Sequence, residues 1–228
     1  MQCVILCAGK GTRMRPLTDT CPKPLIQVAG KPILQHIVEA LPEEIDELVL
    51  IVGYLKEQII AYCGDEYIGK RVVYCEQENH AGGTGDALMC ARDVLTGKFL
   101  FMYGDDIHGS TTLARAVRFD YAILGTHSDT PERYGVLIPN EDGTLKAILE
   151  KPKNPPSNLI NIGGFVIDES IFAYAVPKSD TGELYVTDML TQFAQDHPVH
   201  ILEQELWIPV GYPEDIKKAE TILTMLGE

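Results

Sequence analysis

The sequence predicts an α/β fold: a doubly wound, mostly parallel, Rossmann-like sheet with a small antiparallel insertion. Three observations carry that prediction. Apolar runs alternate with segments of helical period over roughly the first half of the chain. A glycine-rich turn follows the first run immediately. After about Thr126 the strand-like runs crowd together with no helical segment between them.

The elements follow in order. QCVILC is a buried strand that leads into AGKGTRMRPLT. KPILQHIVEAL carries one apolar face, and Pro32 stands at its start, where its missing N–H costs nothing. ELVLIVG is the next strand, YLKEQIIAYCG the next helix, and Gly64 ends that helix. RVVYC, KFLFMYG and DYAILGT read as further strands, with the helix GTGDALMCARDVL between the first two. YGVLIP, TLKAILEK and LINIGGFVI, with turns at Asn140–Gly143 and Asn154–Ser157, predict an antiparallel insertion laid over the sheet. DES–IFAYAV, LYVTDMLTQFAQDH and EDIKKAETILTML predict three closing helices. No internal repeat or low-complexity tail interrupts the pattern, so the 228 residues read as one domain.

Composition narrows the function. The formal net charge is -14, which disfavours nucleic acid and anionic membrane as partners. A phosphate ligand would need a local cluster of cations and amides. The six cysteines, Cys3, Cys7, Cys21, Cys63, Cys75 and Cys90, contain no CxxC pair and no zinc-finger spacing. They read as small buried hydrophobes in a reduced setting. With no signal peptide and no apolar stretch of spanning length, the expected location is the cytoplasm.

AGKGTRMRPLT supplies the local cluster. It matches neither the P-loop nor the dinucleotide fingerprint, because the glycines are wrongly placed for both. A Gly9-Lys10-Gly11 turn after a buried strand still exposes successive amides, which make an anion nest. Lys10, Arg13, Arg15 and Lys23 put four cations within fourteen residues. Further on, EQENHAGGTGDAL opens a helix with a turn bare of side chains, through which a flat base or ribose can approach. FLFMYGDDIHG ends an apolar strand in Asp105 and Asp106, at the carboxyl edge where open α/β sheets bind ligands. One or two carboxylates are what a magnesium ion on phosphate oxygens requires.

LCAGKGTRMRPLT followed by CPKPLIQVAGKPIL resembles the signature of the sugar-1-phosphate nucleotidylyltransferases. Further matches follow in order along nearly the whole chain. The resemblance implies that Ala8, Gly9, Gly11, Thr12 and Arg13 meet the nucleotide phosphates and that Lys23 reaches the reacting centre. It implies base recognition by Gln77 with Gly82, Gly83 and Thr84. A glutamine amide, able to donate and accept at once, leans this towards UTP or dTTP. Asp105 would be the Mg²⁺ ligand, with Asp106 in support. Gly135 of RYGVLIP, Glu150 of ILEKP and Asn161 of NIGGFVI would meet the sugar, and Lys151 the sugar phosphate. On this reading, residues 1–126 serve mainly the nucleotide and residues 127–228 mainly the sugar and the C-terminal helices. Thr187 and Asp188 of GELYVTDML would only cap a helix. LWIPVGYPEDIKKA departs from the family pattern. Pro209 stands where an acidic second metal ligand is usual, and Asp215 falls later, where it would cap the last helix.

The implied partners are an NTP and a sugar 1-phosphate, with Mg²⁺ as cofactor. The implied reaction makes a nucleoside-diphosphate sugar and pyrophosphate. Two alternatives are a phosphocholine cytidylyltransferase on the same fold and a non-catalytic nucleotide-sugar sensor. The sequence ends without a hexapeptide-repeat extension, so an attached acetyltransferase activity is not expected. The choice of sugar and the formation of a homo-oligomer are left open.

Overall fold

The computed structural model describes residues 1–174 and 182–227. β1 (Gln2–Leu6) leads to the small hairpin β2 (Gln27–Val28) and β3 (Lys31–Pro32), and then to α1 (Ile33–Glu39). β4 (Glu47–Val52), α2 (Lys56–Cys63), the short β5 (Glu66–Tyr67), β6 (Lys70–Glu76) and α3 (Gly83–Met89) follow. Next come β7 (Lys98–Tyr103), β8 (Asp106–His108), α4 (Ser110–Ala116) and β9 (Ala122–His127). The second half holds β10 (Gly135–Pro139), β11 (Leu145–Glu150), β12 (Leu159–Asp168), α5 (Val186–Asp196), β13 (His200–Glu203), β14 (Trp207–Pro209) and α6 (Pro213–Leu226).

One sheet runs β11-β10-β12-β7-β1-β4-β6-β5, with β9 on β12 and β13 on β9. Its centre, β7-β1-β4-β6, is wholly parallel. Both faces of that centre are covered, which explains the unbroken apolar runs. Cys3, Ile5, Leu48 and Leu50 pack under α1 and α6. Val4, Val49, Ile51 and Phe101 pack under α3 and α5. Leu6 and Tyr103 lie opposite each other at the carboxyl ends of β1 and β7. The opening loop and Asp105 therefore leave the sheet side by side.

The antiparallel segment is built differently from the expectation. It does not lie over the sheet; β12 hydrogen-bonds antiparallel to β7 and extends it. The reason is burial: residues 160–167 of β12 are buried without a break, which only a place inside a two-sided sheet allows. DES–IFAYAV also departs from the helix expectation. Glu169–Ala173 is a 3₁₀ turn begun by Asp168, which accepts from the Ser170 amide, and Ala175 and Val176 lie outside the described residues. β8 and β14 were not expected at all. They pair antiparallel and put Trp207 opposite His108 and Pro209 opposite Asp106.

Candidate active site

A cleft of about 870 Å³ opens at the carboxyl edge of β1 and β7. It lies between the opening loop, the start of α3, the antiparallel strands and the start of α6. Ala8, Gly9, Arg13, Lys23, Gln77, Gly83, Thr84, Asp105, Gly135, Glu150, Lys151 and Asn161 all line it. Gly11 and Thr12 line a smaller hollow beside it, which shares Arg13, Lys23 and Asp105. Gly82 lies outside both.

The opening loop is anchored from below. Met14 is fully buried, and the Thr18 hydroxyl donates to the Gly11 carbonyl at 2.8 Å. Tyr54 donates in turn to the Thr18 carbonyl at 2.9 Å. The amides of Gly9, Lys10 and Gly11 donate to no backbone carbonyl among the described residues. Unpaired N–H groups facing an open cleft are the donor half of an anion site.

Lys23 is buried, and its Nζ lies 2.7 Å from Asp105 Oδ2, whose side chain keeps about a third of its surface open. Asp106 lines the cleft beside Asp105, and its Oδ2 accepts from Trp207 Nε1 at 3.0 Å. Burial first, and the neighbouring Asp105 second, push the Asp106 carboxyl up to about 8. Two carboxylates of unlike proton affinity therefore stand side by side, Asp106 holding its proton the more tightly. Asp105 offers a hard oxygen donor to the cleft, which suits Mg²⁺ held largely by substrate and water. Among the described residues no group of three His, Cys, Asp or Glu gathers to hold a metal alone. Pro209 lines the cleft where a second acid was sought, and Asp215 caps α6 by accepting from the amides of Gly211 and Tyr212.

Gln77 is buried, and its Nε2 donates to the Gly83 carbonyl at 3.1 Å and to Asp86 Oδ2 at 3.0 Å. Both neighbours are acceptors, so the amide must turn its NH₂ towards them. That leaves only the carbonyl oxygen for a ligand, a narrower role than donor and acceptor together. The glycines of this turn also serve packing. Gly83 has φ +88° and a Cβ there would lie 2.5 Å from the Leu184 carbonyl. Thr84 also holds the start of α5, accepting from the Val186 amide at 3.1 Å.

Across the cleft, Gly135 faces Glu150 in the β10–β11 pair. Lys151 Nζ lies 3.3 Å from Glu150 Oε1, and its backbone is held at φ 42°. Asn161 is buried, and its Oδ1 accepts from the Gly163 amide at 2.9 Å. Asn161 lies beside the Tyr103 hydroxyl. Thr187 does not cap; its buried hydroxyl has no partner among the described residues, and it lines the cleft.

His80, Tyr103, Arg133, Tyr134, Trp207, Tyr212 and Lys218 also line the cleft without having been singled out. Each stands inside a quoted motif, Arg133 and Tyr134 in RYGVLIP and Trp207, Tyr212 and Lys218 in LWIPVGYPEDIKKA, but none was given a role from sequence.

Beneath the cleft, His108 is buried with neither ring nitrogen paired. Burial pushes it down to about 4, so the folded ring is neutral. A histidine depressed in this way stabilises the fold above its unfolded pKa of about 6.5. That contribution fades as pH falls from there to about 4, a loss of about 3 kcal/mol. Urea unfolding of His108→Leu is expected to show a shallower fall in stability across that window than the parent protein.

The chain matches a family model described as nucleotidyl transferase over residues 2–225. Bifunctional protein GlmU of Methanococcus maripaludis is 37% identical over 224 residues, covering 96% of this chain and 53% of that protein. The chain thus spans about half the length of the bifunctional relatives it matches. UTP–glucose-1-phosphate uridylyltransferase AglF of Haloferax volcanii is 36% identical over 232 residues, covering 96% of this chain and 95% of that one. A Bacillus anthracis structure assigned as a glucose-1-phosphate thymidylyltransferase, in complex with sucrose, superposes with a TM-score of 0.88. It is 26% identical, and the match covers 97% of this chain and 94% of that chain.

Proposed function

The chain belongs to the nucleotidyl transferase family, and we propose that it joins a pyrimidine NTP to a sugar 1-phosphate, releasing pyrophosphate and a nucleoside-diphosphate sugar. The observation that carries this reading is the convergence on one cleft of Arg13, Lys23, Asp105, Glu150, Lys151 and Asn161 from five segments of the chain. The uridylyltransferase relative, matched along nearly its full length, supports the same reaction class.

The chemistry needs two anions brought together. The attacking oxygen of a sugar phosphate is already ionised, so no general base is required. The loop amides and Arg13 take the triphosphate, and Lys151 takes the sugar phosphate from the opposite wall. Lys23, held by Asp105, meets the charge that builds at the α-phosphate. Asp105 is the residue that would hold Mg²⁺, which supplies positive charge at the phosphate oxygens when bound. Glu150 and Asn161 face the sugar with Gly135. In this assignment residues 1–126 serve mainly the nucleotide and residues 127–228 mainly the sugar.

Gln77 sets the base. With its NH₂ committed to Gly83 and Asp86, its free carbonyl oxygen accepts from the N3–H of uracil or thymine. Cytosine presents a lone pair at the same place and is repelled. Gln77→Ala is therefore expected to narrow the preference for UTP over CTP about tenfold, read as the ratio of kcat/KM values.

A pyrophosphate-release matrix tests the reaction, with four NTPs against glucose, N-acetylglucosamine and mannose 1-phosphates. Turnover with UTP or dTTP and at least one sugar supports it; no turnover in any sugar row sinks it. A phosphocholine row belongs in the matrix. Tyr103, Tyr134, Tyr185 and Trp207 line the cleft beside Glu150, and aromatic faces with a carboxylate suit a quaternary ammonium. Turnover in that row alone would give the site to phosphocholine.

A further inference from the structure

Five cations line the cleft: Arg13, Lys23, Arg133, Lys151 and Lys218. The three lysines each have a carboxylate at hand, Asp105 at 2.7 Å, Glu150 at 3.3 Å and Asp215 at 3.1 Å. The two arginines have none within 4 Å among the described residues. That is notable in a chain with 33 acidic and 19 basic residues. The same two arginines share one aromatic ring. Arg13 Cζ lies 5.2 Å from the centroid of Tyr212, and Arg133 Cζ lies 5.8 Å from it.

These three residues come from distant parts of the chain. Arg13 belongs to the loop after β1. Arg133 ends the 3₁₀ turn Pro131–Arg133 that introduces β10. Tyr212 stands at the start of α6. Two guanidinium groups repel, and bringing them to one ring needs a reason. Tyr212 offsets part of the repulsion with its ring and with its hydroxyl, which both guanidinium groups reach, and a five-donor fork keeps further N–H groups for a ligand. Two planar forks without a carboxylate, at the edge of an open cleft, match a ligand with several phosphate oxygens.

We propose that Arg133 is a further phosphate-binding residue, which with Arg13 grips the β- and γ-phosphates of the nucleotide and the pyrophosphate that leaves. Tyr212 is the positioning residue that holds both guanidinium groups to one spot. This rests on the function proposed above and deepens it. Arg13 reaches the leaving group from the nucleotide loop, and Arg133 reaches it from the strand pair that carries Gly135 and Glu150. The grip therefore closes across the cleft and couples the leaving group to the sugar side.

The test is calorimetric titration of the protein with inorganic pyrophosphate in magnesium buffer, beside the turnover assay. Arg133 is exposed, so Arg133→Ala should fold as the parent does, and a thermal melt confirms this. Arg133→Ala and Tyr212→Ala are expected to weaken pyrophosphate binding about tenfold or more. Tyr212→Phe keeps the ring and loses only the hydroxyl, so it should fall between the parent and Tyr212→Ala, with a thermal melt close to that of the parent. Arg133→Lys should recover only part of the loss, because a point charge cannot make two parallel hydrogen bonds. Unchanged pyrophosphate affinity in Arg133→Ala overturns the proposal, as does a parent protein that binds no pyrophosphate. The two readings separate cleanly. Turnover in the parent with unchanged affinity in Arg133→Ala removes the clamp and keeps the reaction. Lost affinity in Arg133→Ala with no turnover from the parent keeps the clamp and removes the reaction.

Discussion

Lys23→Met is expected to lower kcat/KM for sugar-nucleotide formation by roughly 10²–10³-fold while barely changing stability. The activity loss follows from position. Lys23 is the buried cation of the cleft, fixed 2.7 Å from Asp105, so its charge is oriented before substrate arrives. Methionine matches the length and apolar stem of lysine and removes only the charge. The Asp105 carboxylate, about a third open, rehydrates when its partner goes. The reverse change behaves differently. Asp105→Ala takes from the Lys23 ammonium, whose side chain is only 9% exposed, its partner at 2.7 Å and leaves Asp106 as the remaining neighbouring carboxyl. It is expected to cost about 3 kcal/mol of stability as well as activity. Urea unfolding and product assays on both variants check the asymmetry. Equal stability losses would show that the pair is not buried on one side as described.

Gly163→Ala is expected to destabilise the fold by about 4 kcal/mol and to raise KM for the sugar phosphate. Two costs add. Gly163 sits at φ +81°, where a side chain is strained whatever the space. Its Cβ would also lie 2.1 Å from the Tyr103 ring. That ring cannot step aside cheaply, because it stands edge-on to Phe101 at 5.5 Å and to Phe165 at 6.2 Å. Asn161 accepts from the Gly163 amide and lies beside Tyr103, so the disturbance reaches the cleft wall proposed to meet the sugar. In a double-mutant cycle Tyr103→Ala should absorb the clash and return part of the lost stability. Strict additivity of the two changes would contradict the contact.

What could be read from sequence was what is local. The opening loop could be picked out because glycines and cations within one turn are what an anion site needs, and its residues do line the cleft and the hollow beside it. Asp105 was legible because an apolar strand delivers its last residues to the sheet edge. Glu150, Lys151 and Asn161 were weaker, since each alone is an ordinary polar residue on a strand and only their order pointed to a site. Arg133 and Tyr212 stand inside quoted motifs, but their meeting with Arg13 was not legible, because it joins segments 79 to 199 residues apart in number and creates no periodicity. The same holds for β8 with β14, where Trp207 meets Asp106 across 101 residues. Gln77 does line the cleft, but the hydrogen bond that turns its NH₂ to Asp86 joins two residues that no sequence pattern pairs. The antiparallel strands were seen as strands. Their place was missed because the pattern of β12 shows two buried faces without saying which neighbour covers the edge.

The stereochemical course at the α-phosphorus tests the account most directly. One diastereomer of UTP carrying sulfur on the α-phosphate would be turned over with the accepted sugar 1-phosphate, and the product's configuration determined. A cleft that holds both anions at once predicts inversion, the mark of a single in-line displacement. Retention would require a covalent nucleotide on a side chain, and it would contradict the direct meeting of two phosphates on which the roles of Arg13, Lys23 and Lys151 depend.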